Sequence, residues 1–309
     1  MILIVNINPS LDIIFNVHSF HQNKVNRSYK EYITPGGKGI NVAKTLKAFE
    51  ENVKIIGFCG GSTGKILKEE LRDRKIDYDF IETQGMTRFA IGINNSSKNS
   101  FTVLNGAGSK IEEEKWKEFF KLYKENYKEA EIVILSGSLP PEASTDIYYK
   151  LLKEIKGLPI LKVVDARDKA LLEALKERPD IVKPNKEEIE NIINKKLKRK
   201  KDMVEAIKFL INFGVKYPII SLGKKGAIIN VNHNIFHAFT PPASGIQWGT
   251  GDAFLAGFIV GLKRYQDPLE AIKLACATGY IKTKHVEITR ENIDEIFLLK
   301  DDVAVQKIS

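Results

Sequence analysis

The stretch Gln247–Phe258, QWGTGDAFLAGF, carries the strongest structural signal in this sequence. Gly249 and Gly251 flank a threonine just before Asp252, and the apolar residues that follow are typical of a buried helix. Glycine lets a backbone approach a ligand closely, and the unpaired N–H groups of a first helical turn attract phosphate. The stretch therefore predicts an anion-binding turn at the start of a buried helix in an α/β fold.

Asp252 has two interpretations. If it faces an incoming hydroxyl, its carboxylate can accept the proton while the oxygen attacks a γ-phosphate. An aspartate that follows a glycine turn is also a common helix N-cap, without a catalytic role. This segment alone does not separate the general base from the cap.

Outside this stretch, short apolar runs alternate with amphipathic segments such as the one containing Ile40, Ala43 and Leu46. Strands that alternate with helices indicate a mostly parallel sheet covered on both faces. The expected strands are Met1–Ile7, Val53–Phe58, Ile132–Leu135, Leu158–Val164, Ile181–Lys183 and Tyr217–Leu222.

Two regions interrupt this alternation, at about residues 13–34 and 87–104. Each has two apolar runs joined by a polar connection, which is typical of a β-hairpin. We expect them to form a small antiparallel sheet beside the main one, as a lid. No internal repeat or low-complexity linker divides the 309 residues, so we predict a single domain over 1–309.

A second glycine-rich segment is Pro35–Ala43, PGGKGINVA. Three glycines in four positions predict a loop that lies flat against a polyol just before a helix begins. Asn41 falls on the first turn of that helix, where its amide can hydrogen-bond sugar hydroxyls. The alternative is an ordinary glycine-rich turn between a strand and a helix.

A third segment, Lys183–Glu188, follows a short buried strand. Asn185 and Glu188 are three residues apart, so on a helical turn their side chains face the same way. The pair can orient water molecules around Mg²⁺, which keeps much of its hydration shell in proteins. The same spacing is that of a capping box, which needs no metal.

The formal charge is +9, from 48 basic and 39 acidic residues, and much of it lies in Lys195–Lys201. A basic run can bind nucleic acid, but no aromatic residues interleave with these lysines as in single-strand binders. We interpret the run as the solvated end of a helix and a loop. The excess charge agrees with small polyanionic substrates, and no nucleic-acid partner is expected.

The apolar run Ile2–Val5 is short and follows no basic stretch, which predicts a first buried strand and not a signal peptide. No apolar run approaches the roughly 20 residues that a membrane span needs. Cys59 and Cys276 form no Cys-x-x-Cys pair, so a disulfide framework or thiolate metal site is not expected. These features predict a cytoplasmic protein without a membrane partner.

Together and in this order, the segments resemble those of the ribokinase-like sugar kinases of the PfkB family, especially its 1-phosphofructokinase and tagatose-6-phosphate kinase branch. The resemblance implies a three-layer α/β/α core with a mostly parallel sheet and a small antiparallel β lid. It covers nearly the whole chain and rests on Asn8–Asp12, Pro35–Ala43, Thr87-Arg88, Leu104-Asn105, Ser136–Pro140, Asp165, Lys183–Asn185 with Glu188, Ser221–Ala227 and Gly249–Phe258.

The resemblance also implies a reaction and the residues that perform it. Asp252 is the implied base, and Gly249, Thr250 and Gly251 are the implied anion hole for the phosphoryl group. ATP and Mg²⁺ are the implied cofactors, with the metal held near Glu188 and Asn185 through water. The implied sugar-phosphate site comprises Asp12, Gly36, Gly37, Lys38, Asn41, Arg88, Asn105, Ser138 and, from the first hairpin, Arg27. The implied ATP site comprises Lys183, Asn185, Ser221, Gly223 and Gly226.

The expected reaction converts fructose 1-phosphate to fructose 1,6-bisphosphate. Tagatose 6-phosphate, fructose 6-phosphate, or an unphosphorylated sugar or nucleoside are the alternative substrates, and the lid of relatives also implies a homodimer. Several residues depart from the family pattern, which leaves a weakly active, sugar-phosphate-binding regulator as an alternative of another class. These departures are Ile246, Gln247 and Trp248 before the glycine pair, Thr250 within it, Phe89 after Arg88, Glu50 after the first helix, and Ala166-Arg167 after Asp165.

Overall fold

A computed structural model describes residues 1–239, 245 and 248–309 of the chain. In chain order its strands are β1 (Ile2–Asn6), β2 (Ser10–Val17), β3 (Lys30–Gly36), β4 (Val53–Gly60), β5 (Asp77–Thr83), β6 (Arg88–Asn95), β7 (Ser100–Asn105), β8 (Ile132–Ser136), β9 (Leu161–Asp165), β10 (Ile181–Val182), β11 (Tyr217–Ser221), β12 (Ala227–Val231), β13 (Asn234–Phe239) and β14 (Ala304–Lys307). Its α-helices are α1 (Lys38–Ala48), α2 (Gly61–Asp73), α3 (Glu113–Asn126), α4 (Ile147–Glu154), α5 (Asp168–Leu175), α6 (Lys186–Ile193), α7 (Lys200–Asn212), α8 (Thr250–Tyr265), α9 (Pro268–Lys284) and α10 (Ile293–Asp301).

The large sheet has the strand order β14-β13-β12-β11-β10-β9-β8-β1-β4-β5. From β5 to β11 every neighbouring pair is parallel, whereas β12, β13 and β14 are added antiparallel at one side. The parallel strands all end at one edge of the sheet, where ligands collect in folds of this class. Asn6, Ser136 and Asp165 are the last residues of three neighbouring strands at this edge.

Helices cover both faces of the large sheet, and the strand β1 shows why. Ile2 and Ile4 pack into the core formed with α1, α2, α8, α9 and α10, while Leu3 and Val5 pack into the core formed with α3 to α7. Successive side chains of a strand point to opposite faces, so a continuous apolar run requires cover on both. The three-layer α/β/α fold with a mostly parallel sheet is confirmed.

The strand predictions differ from the structure at the start of β9 and at both edges of the large sheet. The strand expected from Leu158 begins at Leu161, because Leu158 lies in the turn that ends α4, after Gly157 with φ 78°. A further edge strand, β5, and the antiparallel strands β12 to β14 were not predicted. The turn between β12 and β13 is Asn232-His233, both with positive φ, as a tight two-residue hairpin requires.

The small sheet has the order β3-β2-β6-β7. It consists of two antiparallel hairpins that join through a parallel pairing of β2 with β6. In this register Ser10 lies opposite Arg88, and Asp12 lies opposite Ala90. The join therefore brings the polar start of β2 beside the arginine that begins β6.

Two sequence features have simple structural counterparts. Within the described part of the chain, no helix combines the length and the apolar character required to cross a membrane. In the basic run Lys195–Lys201, Lys195 pairs with Asp202 and Glu205, and Lys196 pairs with Glu190 at 3.0 Å. Carboxylates of α6 and α7 thus neutralise part of this run.

Candidate active site

The turn before α8 has the conformation that the glycine pair predicts. Gly249 is the N-cap residue of α8, with φ 71°, and Thr250, Gly251 and Asp252 form the first turn. A left-handed φ favours glycine because other side chains clash with the backbone there. Residues Asp252–Gly261 are buried, so the core fixes the position of this helix. Its first amide groups face a large cleft between the two sheets.

Asp252 is not the cap of this helix, since Gly249 occupies that position. The Asp252 carboxylate instead accepts a hydrogen bond of 2.9 Å from Asn41 Nδ2, on the first turn of α1. Burial raises the pKa of Asp252, and the nearby carboxylate of Asp165 raises it further. Lys38 and Lys183 oppose this rise in pKa. A buried carboxylate with an increased proton affinity, facing a cleft, suits a general base.

Asp165 forms ion pairs with two lysines of the site. It is fully buried at the end of β9, with Lys38 Nζ 3.1 Å from Oδ1 and Lys183 Nζ 3.4 Å from Oδ2. Burial disfavours the charge on Asp165, but attraction to Lys183 and Lys38 outweighs it and holds the pKa of Asp165 below its usual range. Asp165 was expected only as a member of a family motif, without a role of its own. Its position at the end of a buried strand was the available signal.

Lys38 has partners other than those expected. Its Nζ lies 3.1 Å from Asp165 and 3.0 Å from Glu188, and it lines the cleft. These two carboxylates raise the pKa of Lys38 in spite of the opposing effect of burial. The structure thus places the lysine between Asp165 and the predicted metal residue Glu188, and its role toward the sugar phosphate stays a prediction.

Asp12, on β2, is held by its neighbours on the small sheet. Ser10 Oγ donates a hydrogen bond to Asp12 Oδ1, and burial raises the pKa of the Asp12 carboxyl to about 6. A Cβ on Gly36, on the neighbouring strand, would lie 2.0 Å from the Asp12 carboxyl carbon. Gly36 does not line the cleft itself, but only a glycine leaves room there for this carboxylate.

Arg88 lies at the start of β6, across from Ser10. Its Nε donates to the carbonyl of Asn8 at 3.2 Å, and one Nη donates to the carbonyl of Gly106 at 3.3 Å. Burial lowers the pKa of Arg88, Asp12 opposes this, and the positive charge of Arg167 adds to the lowering. Arg167 also lines the cleft, so the structure brings two guanidinium groups toward one end of it.

Asn185 and Glu188 form a complete capping box at the start of α6. Glu188 N donates to Asn185 Oδ1, and Asn185 N donates to Glu188 Oε2, both at 2.8 Å. The second oxygen of Glu188 binds Lys38. The capping interpretation of this spacing is therefore observed. A role for the same residues toward a metal or ATP stays a prediction.

The side of the cleft expected to bind nucleotide begins at β11. Ser221 ends this strand, and Gly223 and Gly226 follow with φ 60° and 82°. A Cβ on Gly226 would lie 1.9 Å from the carbonyl oxygen of Ala238, so the hairpin closes only with glycine there. All three residues line the cleft together with Lys183.

The cleft has a volume of about 1220 Å³, above the usual range for a single small ligand. Its walls come from both sheets and from the first turns of α1, α6 and α8. Arg27 is not among its lining residues and is exposed in the loop between β2 and β3. The predicted site residues that line it are Asp12, Gly37, Lys38, Asn41, Arg88, Asn105, Ser138, Lys183, Asn185, Glu188, Ser221, Gly223, Gly226, Gly249, Thr250, Gly251 and Asp252.

Trp248 connects the glycine turn to the small sheet. Its ring centroid lies 5.4 Å from that of Phe101 on β7, and a Cβ on Gly92 would lie 2.1 Å from its ring. Its backbone carbonyl accepts a hydrogen bond of 2.8 Å from Lys282 Nζ. The sequence identifies Trp248 as a departure from the family pattern but predicts none of these three contacts. The neighbouring departures Ile246 and Gln247 lie outside the described residues.

The comparisons with known proteins agree with this arrangement. The profile of the pfkB family carbohydrate kinases matches residues 4–293. The chain is 32% identical over 280 residues to the 1-phosphofructokinase of Bacillus subtilis, covering 90% of this chain and 91% of that protein. It is 32% identical over 304 residues to the tagatose-6-phosphate kinase of Staphylococcus epidermidis, covering 96% and 97%.

Solved structures extend the likeness to the fold. A possible 1-phosphofructokinase of Thermotoga maritima superimposes with a TM-score of 0.89 at 25% identity, covering 100% of both chains. The phosphofructokinase-2 of Escherichia coli, in complex with fructose-6-phosphate, superimposes with a TM-score of 0.88 at 24% identity, covering 97% of this chain and 99% of that one. Because the superpositions cover nearly all of both chains, the likeness extends over the whole fold.

Proposed function

The chain belongs to the pfkB family of carbohydrate kinases, and from this premise we propose that it phosphorylates fructose 1-phosphate with Mg²⁺–ATP. As a member of this family it is a sugar-phosphate kinase, an enzyme that transfers a phosphoryl group to an alcohol. The substrate, the cofactors and the roles of individual residues are parts of the proposal.

One observation supports the proposal above all others. Asp252 is buried and lines the cleft, directly after the proposed anion-hole residues Gly249, Thr250 and Gly251. A base beside a set of outward-facing amides is what in-line transfer of a phosphoryl group requires. The hydrogen bond from Asn41 fixes the orientation of this carboxylate.

In the proposed reaction the Asp252 carboxylate accepts the proton of the sugar hydroxyl. The freed oxygen forms its bond to the γ-phosphorus while the bond from that phosphorus to the bridging oxygen of ADP breaks. The amides of Gly249 to Gly251 stabilise the charge that develops on the transferred group. No phosphoenzyme forms, and the proton stays on Asp252 until the product leaves.

The sugar phosphate is assigned to the end of the cleft beside the small sheet. Asp12 and Asn41 are positioned to accept from and donate to sugar hydroxyls, and both line the cleft. Arg88 and Arg167 supply two guanidinium groups, whose forked geometry matches phosphate oxygens. A neutral sugar would bring no negative charge to this pair of guanidinium groups, which disfavours unphosphorylated substrates. Tagatose 6-phosphate and fructose 6-phosphate are the alternative substrates.

Mg²⁺ and ATP are assigned to the opposite end. In the described residues no group of three or more His, Cys, Asp or Glu side chains is placed to hold a metal ion. Mg²⁺ needs few protein ligands when nucleotide phosphates and water supply the others. Glu188 fits this arrangement through a water molecule, because both of its oxygens already have partners in Asn185 and Lys38. The ion would neutralise the phosphate charge during transfer.

The small sheet is assigned the role of a lid and of a dimer interface. Ile33, Val103 and Leu104 on its strands have exposed fractions of 54%, 44% and 68%. Apolar surface of this kind is typical of a protein interface. A cytoplasmic location completes the proposal, since both cysteines are unpaired and ATP is a substrate.

The test is an ADP-release assay with Mg²⁺–ATP over fructose 1-phosphate, tagatose 6-phosphate, fructose 6-phosphate, fructose and ribose. We expect a clear preference for fructose 1-phosphate, and a loss of roughly two to four orders of magnitude in kcat in Asp252→Asn. The matched control is Asp267→Asn. Asp267 is a true N-cap aspartate, whose carboxylate accepts from Leu269 N at 2.8 Å on α9.

The control shows what the same Asp→Asn change does at the start of a neighbouring helix, at a residue without a proposed role in the reaction. Asparagine caps a helix about as well as aspartate, so Asp267→Asn should keep both its stability and its turnover. Near wild-type turnover in Asp252→Asn would therefore overturn the mechanism. ATP binding without turnover of any tested sugar would favour a regulatory sugar-phosphate-binding protein, and preference for another phosphoketose would change the substrate alone.

A further inference from the structure

Lys282, on the last turn of α9, carries a buried ammonium group beside the glycine turn. Its Nζ donates to the carbonyl oxygens of Trp248 at 2.8 Å and His285 at 3.2 Å. The residue is 7% exposed, and a Cβ on Gly249 would lie 3.5 Å from Lys282 Cε. The lysine side chain thus runs directly beneath the peptide that leads into the anion hole.

No carboxylate in the described part of the chain lies within 4.0 Å of this ammonium, so its partners are backbone oxygens. The charged groups that act on it come from four surrounding segments. They are Lys44 on α1, Asp252 on α8, Glu287 in the segment after α9, and Asp12 on β2. Burying a cation without an adjacent counter-ion costs free energy, which indicates a functional role for Lys282 at this position.

We propose that Lys282 is a positioning residue, whose protonated ammonium holds the Trp248–Gly249 peptide in the orientation that presents the anion-hole amides to the phosphoryl group. The inference rests on the proposed function, since it concerns the same anion hole. A charge-assisted hydrogen bond is about twice as strong as a neutral one, so loss of the proton loosens this peptide.

The proton on Lys282 is lost within an accessible pH range. Burial lowers the pKa of Lys282 to about 8, and the charge of Lys44 contributes, while Asp252, Glu287 and Asp12 oppose the shift. The anion hole is therefore expected to be ordered below this pH and to loosen above it. Turnover should fall as the pH rises through about 8.

The experiment measures kcat from pH 6.5 to 9.5 in the wild type, Lys282→Arg and Lys282→Met. Arginine keeps its charge throughout this range, so Lys282→Arg should lose the alkaline decline. Methionine removes the charge, and we expect a 10- to 100-fold lower kcat without that decline, below the usual effect of deleting a direct oxyanion donor. The control is Lys273→Met, on the same helix, where Lys273 pairs with Glu270 at 2.7 Å.

A second measurement does not depend on turnover. The chain has two tryptophans, Trp116 and Trp248, so Trp116→Phe leaves Trp248 as the only indole. Its emission should change with a midpoint near pH 8 and should not do so when Lys282→Met is added. This titration supports or overturns the role of Lys282 even if the wild type proves inactive and the proposed function fails.

The outcomes are decisive in both directions. A wild-type decline near pH 8 that disappears in Lys282→Arg supports the proposal. The proposal is overturned if Lys282→Met retains kcat within about twofold of the wild type, or if the decline persists in both variants. If Lys282→Met does not fold, the comparison of the wild type with Lys282→Arg gives the same decision.

Discussion

Replacing Asp12 by asparagine should stabilise the protein while weakening its binding of sugar. Asp12 is 2% exposed, and burial raises its pKa from 3.8 to about 6. Between these two values the folded protein holds a proton that the unfolded chain has lost, so stability falls as the pH rises through this window. At pH 7 the full cost is present, and the shift in pKa corresponds to about 3 kcal/mol. An amide does not ionise, so the variant avoids this cost.

Urea unfolding of the wild type and Asp12→Asn at pH 7 and pH 4 measures the effect. We expect the variant to be more stable by about 3 kcal/mol at pH 7 and by less than about 1 kcal/mol at pH 4. The control is Asp77→Asn, an exposed position on β5, where the change should stay within about 0.5 kcal/mol. In the kinase assay, kcat/KM for the sugar phosphate should fall about 10- to 100-fold, because a hydrogen bond to a charged acceptor is lost.

The two measurements test different steps of the reasoning. A variant that is no more stable than the wild type at pH 7 would refute the buried, ionised state of Asp12. A stability difference of equal size at pH 4 and pH 7 would show that proton linkage is not its cause. An unchanged kcat/KM would remove Asp12 from the sugar site, whatever the result for stability.

Two further predictions concern the small sheet. In Gly36→Ala the new methyl group would lie 2.0 Å from the Asp12 carboxyl carbon, so this carboxylate must rotate away. We therefore expect KM for the sugar phosphate to rise at least about tenfold. KM for ATP, measured in the same assay, should not change. The Leu104 side chain, in the proposed dimer interface, is 68% exposed. Leu104→Glu should convert a dimer to a folded monomer in sedimentation velocity experiments. A wild type that already sediments as a monomer would rule out the interface.

The central fold was predictable because its signals are local. Each parallel strand is an apolar run of normal length, and β1 alternates its side chains between two cores. The predicted start of β9 at Leu158 was wrong, because an apolar residue is equally compatible with a turn. The antiparallel edge was missed although Asn232-His233 is a recognisable hairpin connection, since asparagine readily adopts a positive φ.

The site was predictable to the extent that its residues belong to motifs. The motif residues Asn41 and Asp252 were both identified, but their hydrogen bond joins positions 211 residues apart and no spacing reveals it. Lys282 was not identified, because a lysine in the last turn of a helix ordinarily compensates the helix dipole at the surface. Its burial depends on the loop containing Trp248, which the pattern of α9 does not indicate.

The opposed pKa shifts of two neighbouring aspartates support the role proposed for Asp252. Asp165 and Asp252 are both buried, yet the pKa is lowered in Asp165 and raised in Asp252. Two lysines lie within 3.4 Å of Asp165, whereas the hydrogen bond to Asp252 comes from a neutral amide. Asp165 therefore stays ionised and balances Lys38 and Lys183. Because the environments separate their proton affinities, Asp252 is the better proton acceptor of this pair, which supports the proposal that it is the general base.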